Sequence, residues 1–147
     1  MIKSRSSYLI ATIFITFFLL QNAVCSDVLV NKTDRKINTE IIKQYAYLNI
    51  QEFDWVNEKK ELHRYAKDRA IIYVVENEDH PDQCYVFVFF SLKNDTFFEP
   101  KKKKEYACAI MSLVKDGYIY PNVRGYTYNS VDDEINEVQS TGLGPDS

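Results

Sequence analysis

The chain contains two histidines, His63 and His80, and neither stands at a spacing that pairs it with a nucleophile or a second ligand. Acid–base or nucleophilic catalysis needs such a neighbour, so no catalytic residue is assigned and no enzyme is expected. His63 reads as a strand-face residue and His80 as a turn residue before Pro81. Cys84 and Cys108 lie too far apart for a zinc-binding pair, so neither metal nor cofactor is expected. Glu76, Glu78, Asp79 and Asp82 make an acidic turn; without a spaced ligand loop it reads as a solvated hairpin tip rather than a calcium site. Lys101–Lys104, flanked by Glu99 and Glu105, reads as a solubilising loop rather than a polyanion site.

The strongest signal concerns export. Lys3 and Arg5 precede an uncharged stretch to Ser26 that encloses the apolar run from Tyr8 to Leu20. A positive flank, an apolar core and small residues at its end are the parts of a secretory signal peptide. Ala23 with Cys25, or Val24 with Ser26, fill the small-residue sites before a cut near Ser26. The alternative is a retained anchor, since the run is only a little short of the roughly 17–20 residues that span a membrane; the cut site that follows and the lack of a reinforcing basic cluster favour cleavage. The expected layout is therefore a signal peptide at 1–26, a domain at 27–130 and an acidic, disordered tail at 131–147. The mature protein is expected to be secreted and free of the membrane.

Cleavage removes two of the 18 basic residues and none of the 21 acidic ones, so the mature charge is 16 against 21, or −5. That balance opposes general nucleic-acid binding, which needs a basic face. Cleavage also removes Cys25 and leaves Cys84 and Cys108. In an oxidising compartment these form a disulfide or stay as two buried thiols. Asn31-Lys-Thr33 and Asn94-Asp-Thr96 are sequons for N-glycosylation.

The elements that must hold these residues follow from local pattern. A helix is expected from Asn38, capped by Asn38 or Thr39 and carrying Glu40 in its first turn. Ile41, Tyr45 and Leu48 repeat at helical spacing, and Ile42, Ala46, Ile50 and Phe53 widen the stripe, so the helix should be substantially buried. Ile41, Tyr45 and Leu48 are expected against Val86, Val88 and Ile110. Four antiparallel strands should follow, built around Ile71–Val75, Cys84–Phe90, Tyr106–Val114 and Tyr118–Tyr128, with a turn at Asp116-Gly117. The fold class is α+β, one helix on a roughly four-stranded antiparallel sheet. In the strand Cys84–Phe90, Tyr85, Phe87 and Phe89 point away from the helix side and are apolar too. A sheet with one covering helix has one dry face, so either the tail, a ligand or a second chain forming a dimer covers them, or strand curvature and neighbouring Lys stems do.

Glu61-Leu-His-Arg-Tyr65, Ile71-Ile-Tyr-Val-Val-Glu-Asn77, Lys102-Lys-Lys-Glu-Tyr-Ala-Cys108 and Leu113-Val-Lys-Asp-Gly117 follow the helix in an order that resembles a secreted cystatin. The likeness covers roughly residues 37–128. It implies a cystatin-like fold and inhibition of a papain-like cysteine protease by a leader and two hairpins acting as a preformed wedge. Carried over by position, Tyr73, Val74, Val75, Glu76 and Asn77 stand for the first hairpin, and Lys115, Asp116 and Gly117 for the second. Val75 matches the family motif, whereas Tyr73 and Asn77 replace its glutamine and glycine. The leader has no glycine, and the second hairpin lacks the family's Pro-Trp. Cys108 matches a family position, but Tyr126 and Tyr128 stand on the strand that should supply its partner. The alternative function is a non-inhibitory binding module or effector that acts through Tyr85, Phe87 and Phe89.

Overall fold

The structure, a computed structural model, describes residues 27–141. The signal-peptide reading, Cys25 and the last six residues lie outside them. A short strand β1 (Val28–Asn31) leads to helix α1 (Thr39–Asn57) and a 3-10 turn at Leu62–Arg64. Strands β2 (Ile71–Glu76), β3 (Gln83–Ser91), β4 (Lys104–Val114) and β5 (Ile119–Asn129) follow, and helix α2 (Val131–Thr141) completes the order. The sheet runs β1-β2-β3-β4-β5. Its pairs are antiparallel except β1–β2, which is parallel and sets Val28 against Ile71. The molecule is thus α+β with a mixed five-stranded sheet, not an all-antiparallel sheet of four.

Asn38 caps α1 as its type predicts, its Oδ1 accepting the Ile41 N–H at 3.2 Å. The helix lays Ile42, Ala46 and Ile50 on a sheet face made by Ile72, Val74, Val86, Val88, Phe90, Ala109 and Met111. That differs from the expected packing. Ile41 and Leu48 point to solvent, Tyr45 is half-buried, and Ile110 belongs to the opposite sheet face. The helix is apolar on two sides, so periodicity alone identified a stripe but not the one that the sheet would choose.

The opposite sheet face holds Ile71, Tyr73, Val75, Tyr85, Phe87, Phe89, Tyr106, Cys108 and Ile110. Its cover is α2, through Val131, Ile135 and Val138. The tail is therefore not disordered over 131–141. Ser130 caps it by accepting the Asp133 N–H at 3.1 Å, and Asp132, Asp133 and Glu134 occupy its first turn, where carboxylates suit the helix dipole. A dimer built on Tyr85, Phe87 and Phe89 is ruled out for this arrangement, because all three are buried within the molecule.

A bulge in β5 helps to place α2. Cys108 pairs with Gly125 but Ala109 pairs with Val123, so Arg124 is the extra residue. Its guanidinium turns to α2, with Nε 2.7 Å from Glu134 and Nη2 3.3 Å from Glu137. The Glu134 carboxylate is fully buried and also accepts from Thr127 Oγ1 at 3.3 Å and Asn129 Nδ2 at 3.4 Å.

Candidate functional site

The leader and both hairpins converge at one end of the sheet. After β1, the Lys32 N–H donates to the Val74 carbonyl at 2.9 Å, which brings the leader alongside the end of β2. Asn31 then forms a local turn: its Oδ1 accepts the Thr33 N–H at 2.9 Å and its Nδ2 donates to the Arg35 carbonyl at 2.7 Å. The turn positions Arg35, whose guanidinium donates to the Asp82 carbonyl at 2.8 Å. The Lys115 N–H reaches that same oxygen at 2.9 Å from the second hairpin. One carbonyl thus joins leader, first hairpin and second hairpin, and an open cleft beside it is lined by Asp34, Arg35, Glu76, Pro81, Asp82 and Lys115.

The residues expected at the first hairpin are only partly there. Tyr73, Val74 and Val75 lie in β2 and are buried, Val74 under α1 and the other two under α2. Glu76 is exposed at the strand's end, and Asn77 is buried, its Oδ1 accepting the Asp79 N–H at 3.1 Å. Asn77 does not substitute for a glycine through left-handed backbone, since the non-glycine residues with positive φ are Glu58 and Lys60. The exposed tip is Glu78–Asp82, and β-strand pairing ends at Glu76 opposite Cys84. At the second hairpin, Lys115, Asp116 and Gly117 are exposed as expected, with Gly117 at φ +88°. That left-handed turn suits glycine and lets the Gly117 N–H reach the Val114 carbonyl at 2.9 Å.

Cys84 and Cys108 are free thiols and cannot be bridged as folded. Cys84 lies in the core under α1 and Cys108 in the core under α2, on opposite faces of the sheet. Cys108 pairs with Phe89, five positions along β3 from Cys84, or roughly 17 Å of strand. A disulfide needs Cα atoms within about 7 Å. Burial pushes the Cys84 thiol up and pushes the Cys108 thiol well up, the latter helped by the Glu134 carboxylate, so both are held in the unreactive protonated form.

The remaining candidates are scattered. His63 is exposed in the 3-10 turn, 3.1 Å from the Lys60 carbonyl, not on a strand face, and His80 is exposed at the first hairpin tip. Among the described residues no group of three or more His, Cys, Asp or Glu is placed to hold a metal ion. The sequon asparagines Asn31 and Asn94 are both exposed. Lys101–Lys103 are exposed, but Lys104 is buried and joins Asp95 at 3.0 Å and Glu99 at 2.8 Å, so the run is solubilising only in part.

Sequence reasoning missed the buried charge. Asp54 accepts the Glu61 and Leu62 N–H groups, each at 3.0 Å, and the Tyr126 hydroxyl, locking the end of α1 to β5. Burial first, and then that bond to Asp54, push the Tyr126 phenol far up. Asp54 gave no signal in the sequence that set it apart from its neighbour Glu52. At the hairpin end, Arg35, Asp82 and Lys115 join the leader and both hairpins into one polar surface. No family model, curated protein or solved structure matches the chain.

Proposed function

We infer that the chain is an exported, non-catalytic binding module that recognises a protein through the hairpin end of its sheet. The observation that carries this reading is the junction at the Asp82 carbonyl, where Arg35 and Lys115 fix three separate chain segments as one surface. A surface ordered before the partner arrives loses little entropy on association. Export rests on the pattern of residues 1–26. The buried thiols are compatible with it, because an oxidising compartment reaches neither of them. Glycans at Asn31 and Asn94 belong to the same reading, and the Asn31 glycan would border the recognition surface.

Inhibition of a papain-like cysteine protease is the second reading, and the meeting of a leader with two hairpins is what favours it. Burial of Val75 opposes it, because that side chain would have to leave the core to enter a protease cleft. One set of experiments tests both. Replacing Pro81 with a photo-cross-linking residue should trap a protein partner from the medium into which the chain is exported, whereas the same group at Asn94 should not. Capture only from position 94 would remove the first reading. Stoichiometric inhibition of a papain-like protease that weakens on Arg35→Ala would establish the second, and absence of inhibition at micromolar concentration would eliminate it.

A further inference from the structure

The turn that positions Arg35 is built from the side chains of a sequon. Asn31 Oδ1 accepts the Thr33 N–H at 2.9 Å and the Thr33 hydroxyl at 2.7 Å. That hydroxyl oxygen accepts the Arg35 N–H at 3.2 Å, and Asn31 Nδ2 donates to the Arg35 carbonyl at 2.7 Å. Arg35 in turn reaches the Asp82 carbonyl and lines the cleft with its neighbour Asp34. The nitrogen that would carry a sugar therefore touches the residue that ties the leader to the first hairpin. Asn31 is also exposed, which leaves room for a sugar on its solvent side. The other sequon asparagine, Asn94, is exposed on a turn past Ser91, at the opposite end of β3 from the cleft.

We propose that an N-linked glycan on Asn31 closes this cleft, and that the bare chain is the form that binds a partner. The inference rests on the reading of the chain as exported and of its hairpin end as the recognition surface. The sugar donor is an oligosaccharide carried on a lipid pyrophosphate. Asn31 Nδ2 loses one proton and bonds to C1 of the first sugar, while the C1–O bond breaks and the lipid pyrophosphate leaves. In the folded turn that nitrogen is committed to the Arg35 carbonyl, and the Thr33 hydroxyl is committed as both donor and acceptor. Transfer must therefore precede closure of the turn, and the order of the two events decides which form is exported. The modified amide keeps one N–H for the Arg35 carbonyl, so the turn re-forms and holds the sugar in place. The first sugar then hangs from an atom 2.7 Å from that carbonyl, against the Asp34–Arg35 wall of the cleft. A bulky, hydrated group there excludes a folded partner without entering the core.

The test uses the full chain expressed in a secretory eukaryotic host with Asn94→Gln, so that a mannose-binding lectin divides the product by occupancy of Asn31 alone. Intact mass and peptide mapping should show both forms. Acetylation of Lys115, an exposed residue of the cleft, should be severalfold slower in the glycosylated form. Lys101, exposed beyond the other end of β4, should label equally in both. Trimming the glycan to its first sugar should keep most of the protection. Partner capture by the photo-cross-linking residue in place of Pro81 should come from the bare form and be lost from the glycosylated one. In a separate reaction, an oligosaccharyltransferase given lipid-linked donor should modify Asn31 in the denatured bare chain and not in the folded one. That arm holds even if the glycosylated form never leaves the cell. An Asn31 left bare by the host, equal labelling of Lys115 in the two forms, loss of protection on trimming, or modification of the folded chain would each overturn the proposal. Absence of capture from the bare form would instead overturn the reading of the hairpin end, and the labelling would still decide whether the sugar covers the cleft.

Discussion

Gly125 has φ +89°, and a Cβ there would come within 2.6 Å of the Phe53 ring. The bulge that aims Arg124 and the close approach of α1 both depend on that missing atom. Gly125→Ala is expected to cost about 1–3 kcal/mol in chemical denaturation, because a packed ring must shift and the backbone is strained. Tyr106 presents a different residue-level case. Its ring is buried against Phe89, its Oη has no hydrogen-bond partner among the described residues, and burial pushes its phenol up to about 12. The unfolded chain releases that proton near pH 10. Below about pH 10 the phenol is protonated in both states, and its ionisation leaves stability unaffected. As pH climbs from about 10 toward about 12, the unfolded chain ionises while the folded chain does not, so stability falls. Tyr106→Phe should leave neutral stability unchanged or raise it by up to about 1 kcal/mol, since it deletes an unsatisfied hydroxyl. The same variant should make the alkaline decline shallower, as measured by urea unfolding at neutral pH and above pH 10.

Among the elements, α2 bears the most consequence for its length. It closes the sheet face of Tyr73, Tyr85, Phe87 and Phe89, and it is pinned by a buried carboxylate on a bulged arginine. Removing one partner of a fully buried pair costs about 3–5 kcal/mol. Arg124 is about one-third exposed and keeps Glu137, so Glu134→Ala should cost less, about 2 kcal/mol. The result to look for is a lower denaturation midpoint with increased binding of an apolar dye, since α2 should loosen before the sheet. A lower midpoint without dye binding would mean that α2 melts only with the whole domain. This helix also marks where the sequence was hard to read. Val131, Ile135 and Val138 are spaced for one helix face, and Ser130 with Asp133 is a capping pair. Three apolar residues in an acidic segment ending in Gly-Leu-Gly-Pro nevertheless carried less weight than composition. What was legible was the need for a cover, because β3 alternates between two faces that are both apolar.

At the scale of the molecule, the hairpin strands β2 to β5 were legible because turn residues punctuate long β-rich runs. The parallel strand β1 was not, since four residues give too short a pattern and their partners lie 43 positions away, as Val28 and Ile71 do. The joined hairpin end was half legible: the tips follow from turn chemistry, but both bonds to Asp82 end on its backbone carbonyl, an acceptor that side-chain patterns do not encode. The cysteines make a whole-molecule prediction possible. The sheet itself separates them, so adding a reductant should leave the thermal midpoint within about 1 °C and the gel mobility unchanged, whereas losing a native disulfide typically costs 2–5 kcal/mol. Thiol titration with an aromatic disulfide should be slow in the native protein and complete on unfolding. A midpoint that fell with reductant would require a fold other than this one.

The four-residue strand β1 also has a protective role. It occupies the edge of β2, whose Ile71-Ile-Tyr-Val-Val75 segment is apolar, rich in β-branched residues and uncharged. Left open, such an edge is a template on which further chains can add, and the segment has the makeup of a fibril core. Asp27 is the latch, with Oδ1 accepting the Ala70 N–H at 2.7 Å and Oδ2 2.9 Å from the buried Lys43 ammonium. Releasing it should matter little to the average structure and much to its long-term fate. Asp27→Ala is expected to shorten the lag of thioflavin-positive aggregation severalfold at a temperature where both proteins remain folded; an unchanged lag would show that the β2 edge is guarded by something else.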